Sequence, residues 1–340
     1  MREFVMGLPK AELHVHVEGT IEPATAFALA DRNGVTLPWP TPAALAGALE
    51  FDDLQSFLDV YYAVMAVLRT PADFTDVADA YLGRAAAQGV RHVELFFDPQ
   101  AHVARGVPIG SVIDGLYAAT SAARERHGVS AGLILCFMRD RPVADAAATL
   151  AAALPHVGKL VGVGLDSAEV GFPPGLFADV FGDARAAGLH VVAHAGEEGP
   201  PGYVWEAIRT LRVERVDHGL RSLEDDALVA HLVESRMPLT VCPFSTVRLR
   251  GCATLADHPL ARMLRLGLTV SVNSDDPAYF GGYVGDNLDA VRETLALTDD
   301  ELHTLAANSF RSSFLPEEEK REHLRALDTY VADATNVRFR

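Results

Sequence analysis

Four side chains able to hold a metal ion end separate apolar runs of this chain: His14 and His16, His194, and Asp275. Three imidazoles and one carboxylate from such distant positions meet only if the fold gathers the ends of those runs. Zn²⁺ favours a nitrogen-rich set of this kind, and a catalytic zinc keeps one position open for water. Glu197 and His218 end neighbouring runs, where they can handle the protons of that water. The pattern predicts a metal-dependent hydrolytic enzyme.

The spacings sharpen this expectation. In His14-Val15-His16 the two imidazoles are two residues apart, so on a strand both face the same side. Glu18-Gly19 follows as a polar exit from the strand. In His194-Ala-Gly-Glu197-Glu198-Gly, glycines allow close approach of backbone and ligand. Glu197 is the expected functional acid, able to stay protonated in a semi-enclosed site; Glu198 reads as a solvated loop residue. Asp217-His218-Gly219 places a histidine at the end of the next run. Asn273-Ser-Asp275-Asp276-Pro277 closes the last one, with one carboxylate for the metal and its neighbour for a substrate edge. Adjacent acids before proline also suit an ordinary turn.

The elements that must position these residues can be picked out. Eight β-rich runs occur: Ala11–His16, His92–Phe97, Gly132–Phe137, Val161–Leu165, His190–His194, Arg215–His218, Leu239–Cys242 and Thr269–Asn273. Their dense apolar content suits strands buried on both faces. Between most of them lie helix-like segments such as Phe74–Ala87, Ile113–Arg126 and Ala144–Ala153. Eightfold alternation predicts an α/β fold, a (β/α)8 TIM-type barrel, whose active site lies at the C-terminal strand ends. The residues named above fall at those ends. The long stretch from Asn33 to Arg69 carries Leu54, Phe57, Leu58, Tyr61, Tyr62 and Met65 at helical steps. It predicts extra helices inserted after the first strand, packed on the barrel and covering its mouth. From Leu315 onward a charged, weakly helical segment reads as a solvated terminal helix.

The 340 residues are 49% hydrophobic with no linker-like break, so residues 1–340 are expected to form a single domain. A net charge of −17 repels phosphate backbones, which speaks against nucleic-acid binding. No apolar run is long enough for a membrane span and no signal peptide is apparent. Cys136, Cys242 and Cys252 show no C-x-x-C spacing and read as free thiols, which fits a cytoplasmic protein. A homo-oligomer is compatible with these features, which do not fix the state.

The set H-x-H-x-E-G, H-A-G-E, D-H-G and N-S-D-D-P, in this order, resembles the adenosine/adenine deaminase family, a zinc-dependent branch of the amidohydrolases. The resemblance runs from Leu8-Pro9-Lys10 to about Gly285. It includes Phe97-Asp98-Pro99-Gln100, Gly164-Leu165-Asp166-Ser167-Ala168-Glu169 and the segment from Asp276 to Tyr283, which look most like the adenine deaminase branch. The resemblance implies one zinc ion on His14, His16, His194 and Asp275. It implies Glu197 as proton donor and His218 as the residue that orients or activates water. Asp276, Glu18 and Glu169 are the implied substrate-binding residues. The nucleoside branch usually has Asp where this chain has Glu18, and glycine where it has Glu169; both changes favour a bare base. The segment from Cys242 to Leu249 departs from the adenine branch's C-P-L-S-N-V-K-L at Phe244, Thr246 and Arg248.

The expected reaction is hydrolysis of a 6-aminopurine, adenine plus water giving hypoxanthine and ammonia. The alternatives are adenosine or an N6-substituted adenine as substrate on the same fold, and a purine-binding protein that has lost turnover. A second class of zinc deaminase uses H-x-E with P-C-x-x-C; the latter motif is absent. A two-metal site is disfavoured, because the strand Val163-Gly164-Leu165 offers no lysine as a bridging ligand.

Overall fold

The computed structural model describes residues 2–51 and 54–338, with the backbone alone at 54 and 335–338. Its strands are β1 (Lys10–His16), β2 (Val90–Phe97), β3 (Ser130–Met138), β4 (Gly162–Asp166), β5 (His190–Ala195), β6 (Arg215–His218), β7 (Pro238–Val241) and β8 (Thr269–Val272). They lie in sequential order, and every neighbouring pair is parallel. The ring closes where Val15 bridges Asp275: His16 N donates to Asp275 O at 3.0 Å, and Asp275 N to His14 O at 3.1 Å. This is the (β/α)8 barrel that the alternating pattern predicts. All eight expected strands are present, with ends shifted by a residue or two.

The intervening helices are slightly longer than expected from periodicity. The segment over 74–87 begins earlier, at Pro71, where proline suits a first turn and Thr70 and Asp73 form a capping box. The next helix spans Ile109–His127 and stops at Gly128, whose φ of 70° is left-handed. The third spans Val143–Ala153. Three further helices follow β1: Pro23–Asn33, Pro42–Gly47 and Leu54–Met65. On the last, Phe57, Tyr61 and Met65 are buried. Phe57 packs against Tyr279 and Phe280 beyond β8, and Tyr61 against Tyr279. The Leu54 side chain lies outside the described residues. This helix both packs on the barrel and overhangs its mouth.

One local irregularity decides where the first histidines point. On β1 the register against β2 slips between Glu12 and Val15: Glu12 pairs with Val93 and Val15 with Leu95. One extra residue on β1 makes a bulge, which re-aims the side chains around it. Ala11 and Leu13 pack with Phe310. Glu12 is turned to the Tyr81 hydroxyl and Ser274. His14 and His16 are turned to the centre of the ring, beside Phe96.

The terminal helix Glu317–Arg338 departs from the expectation of a purely solvated helix. Leu327 is fully buried, His323 stacks on Phe310, and the Tyr330 hydroxyl donates to Phe4 O at 3.0 Å. Its outer face is charged, but its inner face is tied to the barrel. Among the described residues no helix is long and apolar enough to cross a membrane.

Candidate active site

The strand ends bring the predicted residues together. His14, His16, His194, His218 and Asp275 are each 6% exposed or less. The first four lie at the C-terminal ends of β1, β5 and β6; Asp275 follows β8. His218 and Asp275 both have φ of 64°, in the left-handed region. Non-glycine residues there carry strain of order 1–3 kcal/mol, and such positions cluster at functional sites. Here the turn swings each side chain from the strand end toward the axis.

One donor atom each from His14, His194, His218 and Asp275 lies within 4.8 Å of the others. His16 adjoins this group: its Nε2 is 3.2 Å from His194 Nε2 and 3.5 Å from Asp275 Oδ1. His14 Nε2 is 3.2 Å from the same Asp275 oxygen. His218, a member of the group, has its Nε2 3.9 Å from Asp275 Oδ2 and 3.5 Å from Glu197 Oε2.

The hydrogen bonds behind the ring fix a tautomer. Thr240 Oγ1 donates to Asp217 Oδ1 at 2.7 Å and lies 3.0 Å from His14 Nδ1. The hydroxyl's only proton is spent on Asp217, so it accepts from His14 Nδ1–H. His14 Nε2 is therefore a bare lone pair, buried and without a hydrogen-bond donor. It faces a carboxylate oxygen that has no proton to offer, an arrangement that calls for a cation between them. Asp217 Oδ2 also lies 3.7 Å from His194 Nδ1, and Asp166 Oδ2 lies 3.6 Å from His16 Nδ1. Carboxylates behind ligating imidazoles are the usual means of orienting them.

Electrostatics agree. Burial pushes His14 down to about 3, against the pull of Asp275. Burial and the neighbouring imidazoles drive His194 well below its ordinary value, and burial also lowers His218. Burial alone would raise Asp275, but His14, His218 and His16 outweigh it and hold the group well below the usual carboxylate range. Neutral imidazoles and an ionised carboxylate are the forms that bind a metal. The residues therefore fit a divalent cation, and the nitrogen-rich donor set suits zinc.

Above the ring is a cavity, partly open to solvent, with about 460 Å³ free of protein atoms. Its polar wall holds Glu197, Asp276, Asp98 and Asp166; the helix Leu54–Met65 roofs it with Phe57, Leu58, Tyr61 and Tyr62. Burial, then Asp275 and Glu169, raise Glu197 well above its ordinary value, which favours its protonated form. Asp276 is raised in the same way by burial and by Asp275. Gly19 makes room for it, since a Cβ there would stand 1.9 Å from Asp276 Oδ1.

Two expected substrate contacts sit behind the cavity lining. Glu18 is fully buried, and its Oε1 accepts from His102 Nε2 at 2.7 Å and from Asp98 N at 3.1 Å. Glu169 accepts four backbone N–H bonds, from Gly196 at 2.7 Å, Glu197 at 3.0 Å, Glu198 at 2.8 Å and Gly199 at 2.8 Å. Both of its oxygens serve the loop that carries Glu197. Asp98 and Asp166, by contrast, line the cavity but receive no separate role from sequence reasoning. Each follows or ends an apolar run, the same signal that marks His194 and Asp275.

Comparison with known proteins agrees with this geometry. The model of the family described as adenosine deaminase matches residues 9–330. An adenine deaminase of Streptomyces coelicolor is 62% identical over 335 residues, covering 98% of this chain and 97% of that protein. The crystal structure of an adenine deaminase from Arthrobacter aurescens superposes with a TM-score of 0.94 at 51% identity, covering 96% of this chain and 99% of that one. An amidohydrolase from Burkholderia ambifaria, solved with bound Zn, gives a TM-score of 0.90 at 29% identity over 99% of this chain and 94% of its own. The chain belongs to the adenosine deaminase family.

Proposed function

We propose that this protein is a zinc-dependent adenine deaminase that hydrolyses adenine to hypoxanthine and ammonia, with residues 1–340 forming one catalytic domain. The observation that carries the reading is the pairing, in one cavity, of a histidine–aspartate cluster fit for a metal with Glu197, 3.5 Å from His218 and pushed toward its protonated form. Adenine deaminases at 51–62% identity over nearly the whole chain support the choice of base over nucleoside.

His14, His16, His194 and Asp275 would hold the zinc. A zinc ion there supplies Lewis acidity, lowering the pKa of a water from about 15.7 toward about 7. C6 of adenine is a poor electrophile because the ring is aromatic. Glu197 donates its proton to ring N1, drawing electron density from C6. His218 takes a proton from the attacking water and holds its oxygen toward C6. Asp276, kept protonated by its neighbours, donates a hydrogen bond to N7 and fixes the ring. His218 returns its proton to the amino nitrogen, the C6–N bond breaks to release ammonia, and the hydroxyl proton passes to Glu197 as C6 becomes a carbonyl.

Metal-analysed protein offered adenine, adenosine and N6-methyladenine tests this. The expected result is ammonia and hypoxanthine from adenine, with kcat/KM for adenine the largest of the three. Preference for adenosine or N6-methyladenine would reassign the substrate. Binding without ammonia release from any of them would mark a purine-binding protein.

A further inference from the structure

Free adenine in its 9H tautomer and adenosine present the same N1, N3 and N7 atoms. They differ at N9, which carries a hydrogen in the base and a sugar in the nucleoside. A site selective for the base needs an acceptor facing that hydrogen.

In the proposed reaction Glu197 serves N1 and Asp276 serves N7. Of the carboxyls lining the cavity, Asp98 and Asp166 remain. Asp166 Oδ2 lies 3.6 Å from His16 Nδ1, and neither Asp166 oxygen has a hydrogen-bond partner. Asp98 is 5% exposed, and no protein donor reaches its Oδ1. Its backbone is pinned, because Asp98 N donates to the buried Glu18 and Pro99 opens the short helix that follows. An oxygen of Asp98 and an oxygen of Asp166 lie within 4.8 Å of one another. Neutral or ionised, the Asp98 carboxyl keeps an oxygen free to accept. A buried acceptor with no donor is costly unless a ligand supplies one.

Resting on the reading of the cavity as an adenine site, we propose that Asp98 is a specificity-determining residue whose carboxyl accepts the N9–H of the free base. Adenosine then fails twice: it lacks the donor, and its sugar meets the wall that Glu18, His102 and Asp98 build behind the cavity.

The test compares wild type, Asp98→Val and Asp98→Asn, each zinc-loaded, with adenine and with 9-methyladenine, which has no hydrogen at N9 but keeps N7 as an acceptor. Valine removes the acceptor. Asparagine keeps a carbonyl oxygen for N9–H and an N–H for Asp166. Asp98→Val should lower kcat/KM for adenine by roughly ten- to a hundredfold, mainly through KM, as expected for a lost hydrogen bond that reads the substrate. Asp98→Asn should stay within about threefold of wild type, and the Ki of 9-methyladenine should move less than about threefold in either variant. Unchanged adenine kinetics in Asp98→Val would overturn the inference. An equal loss for both ligands would also overturn it, because a merely structural role acts on both. Wild-type protein that does not deaminate adenine at all would instead refute the underlying function, and this is seen before any variant is compared.

Discussion

Glu197 and Asp275 are two carboxyls at one cavity whose pKa values are pushed in opposite directions. Asp275 sits among imidazoles that favour its charge, while half-buried Glu197 feels the charge of Asp275, which disfavours a second one. Pairs of groups pushed apart in this way mark acid and base assignments. Glu197→Gln keeps the shape but has no proton to give. Its kcat should fall about 10²–10⁴-fold while zinc stoichiometry stays unchanged; near-normal turnover of a fully metallated variant would remove Glu197 as donor. The sign of the pH dependence follows. The donor works only when protonated, so kcat should fall as pH rises through the elevated pKa of Glu197. The residual rate of Glu197→Gln should lack that alkaline limb.

The loop after β5 shows how an element prepares a residue. Backbone N–H groups of residues 196–199 all point at Glu169, which is 1% exposed at the end of the 164–169 segment. A carboxylate holding four N–H groups fixes that loop, and Gly199 permits the approach, since a Cβ there would stand 2.5 Å from Glu169 Oε1. The family resemblance implies Glu169 near the purine; the tertiary structure places it against the backbone of the loop that carries Glu197. Glu169→Gln turns an N–H donor toward N–H donors. A displacement of Glu197 by about 1 Å would lower kcat about 10²-fold. Steady-state kinetics should show that loss in kcat with little change in KM and with zinc retained. A rise in KM alone would return Glu169 to substrate contact. The helix Leu54–Met65 was legible from its apolar steps, since its stripe is the one that packs on Tyr279 and Phe280. Its roofing of the cavity was expected only from its place after β1.

Below the metal ring, the barrel interior is held by charge as well as by packing. Arg215 on β6 donates to Glu94 on β2 at 2.6 Å and to Leu13 O on β1 at 3.2 Å, with both side chains fully buried. Burial alone would raise Glu94, but Arg215 and His92 outweigh it and hold the group near about 2 instead of 4.5. A depressed carboxylate stabilises the fold above its unfolded pKa and loses that contribution as pH falls toward the folded one. Glu94→Gln should therefore cost up to about 3–5 kcal/mol at neutral pH, by leaving Arg215 with Asp217, at 3.6 Å, as its remaining counter-charge. The variant should also lose part of the acid sensitivity of wild type between about pH 4.5 and 2, as read by denaturant unfolding across pH. Equal stability of the two proteins at neutral pH would show that the pair contributes nothing. The sequence by itself determined the alternation of strand and helix, and hence the barrel, because burial on both faces writes apolar runs into the chain. It also placed His14, His16, His194, His218 and Asp275 at strand ends, because local order fixes where a run stops. Only the tertiary structure decided which way those side chains turn and what each carboxyl is bound to. The bulge in β1, the left-handed turns at His218 and Asp275, and the capture of Glu18 by His102 and of Glu169 by a distant loop depend on partners far away in sequence. Such contacts leave no periodic trace in the chain that makes them.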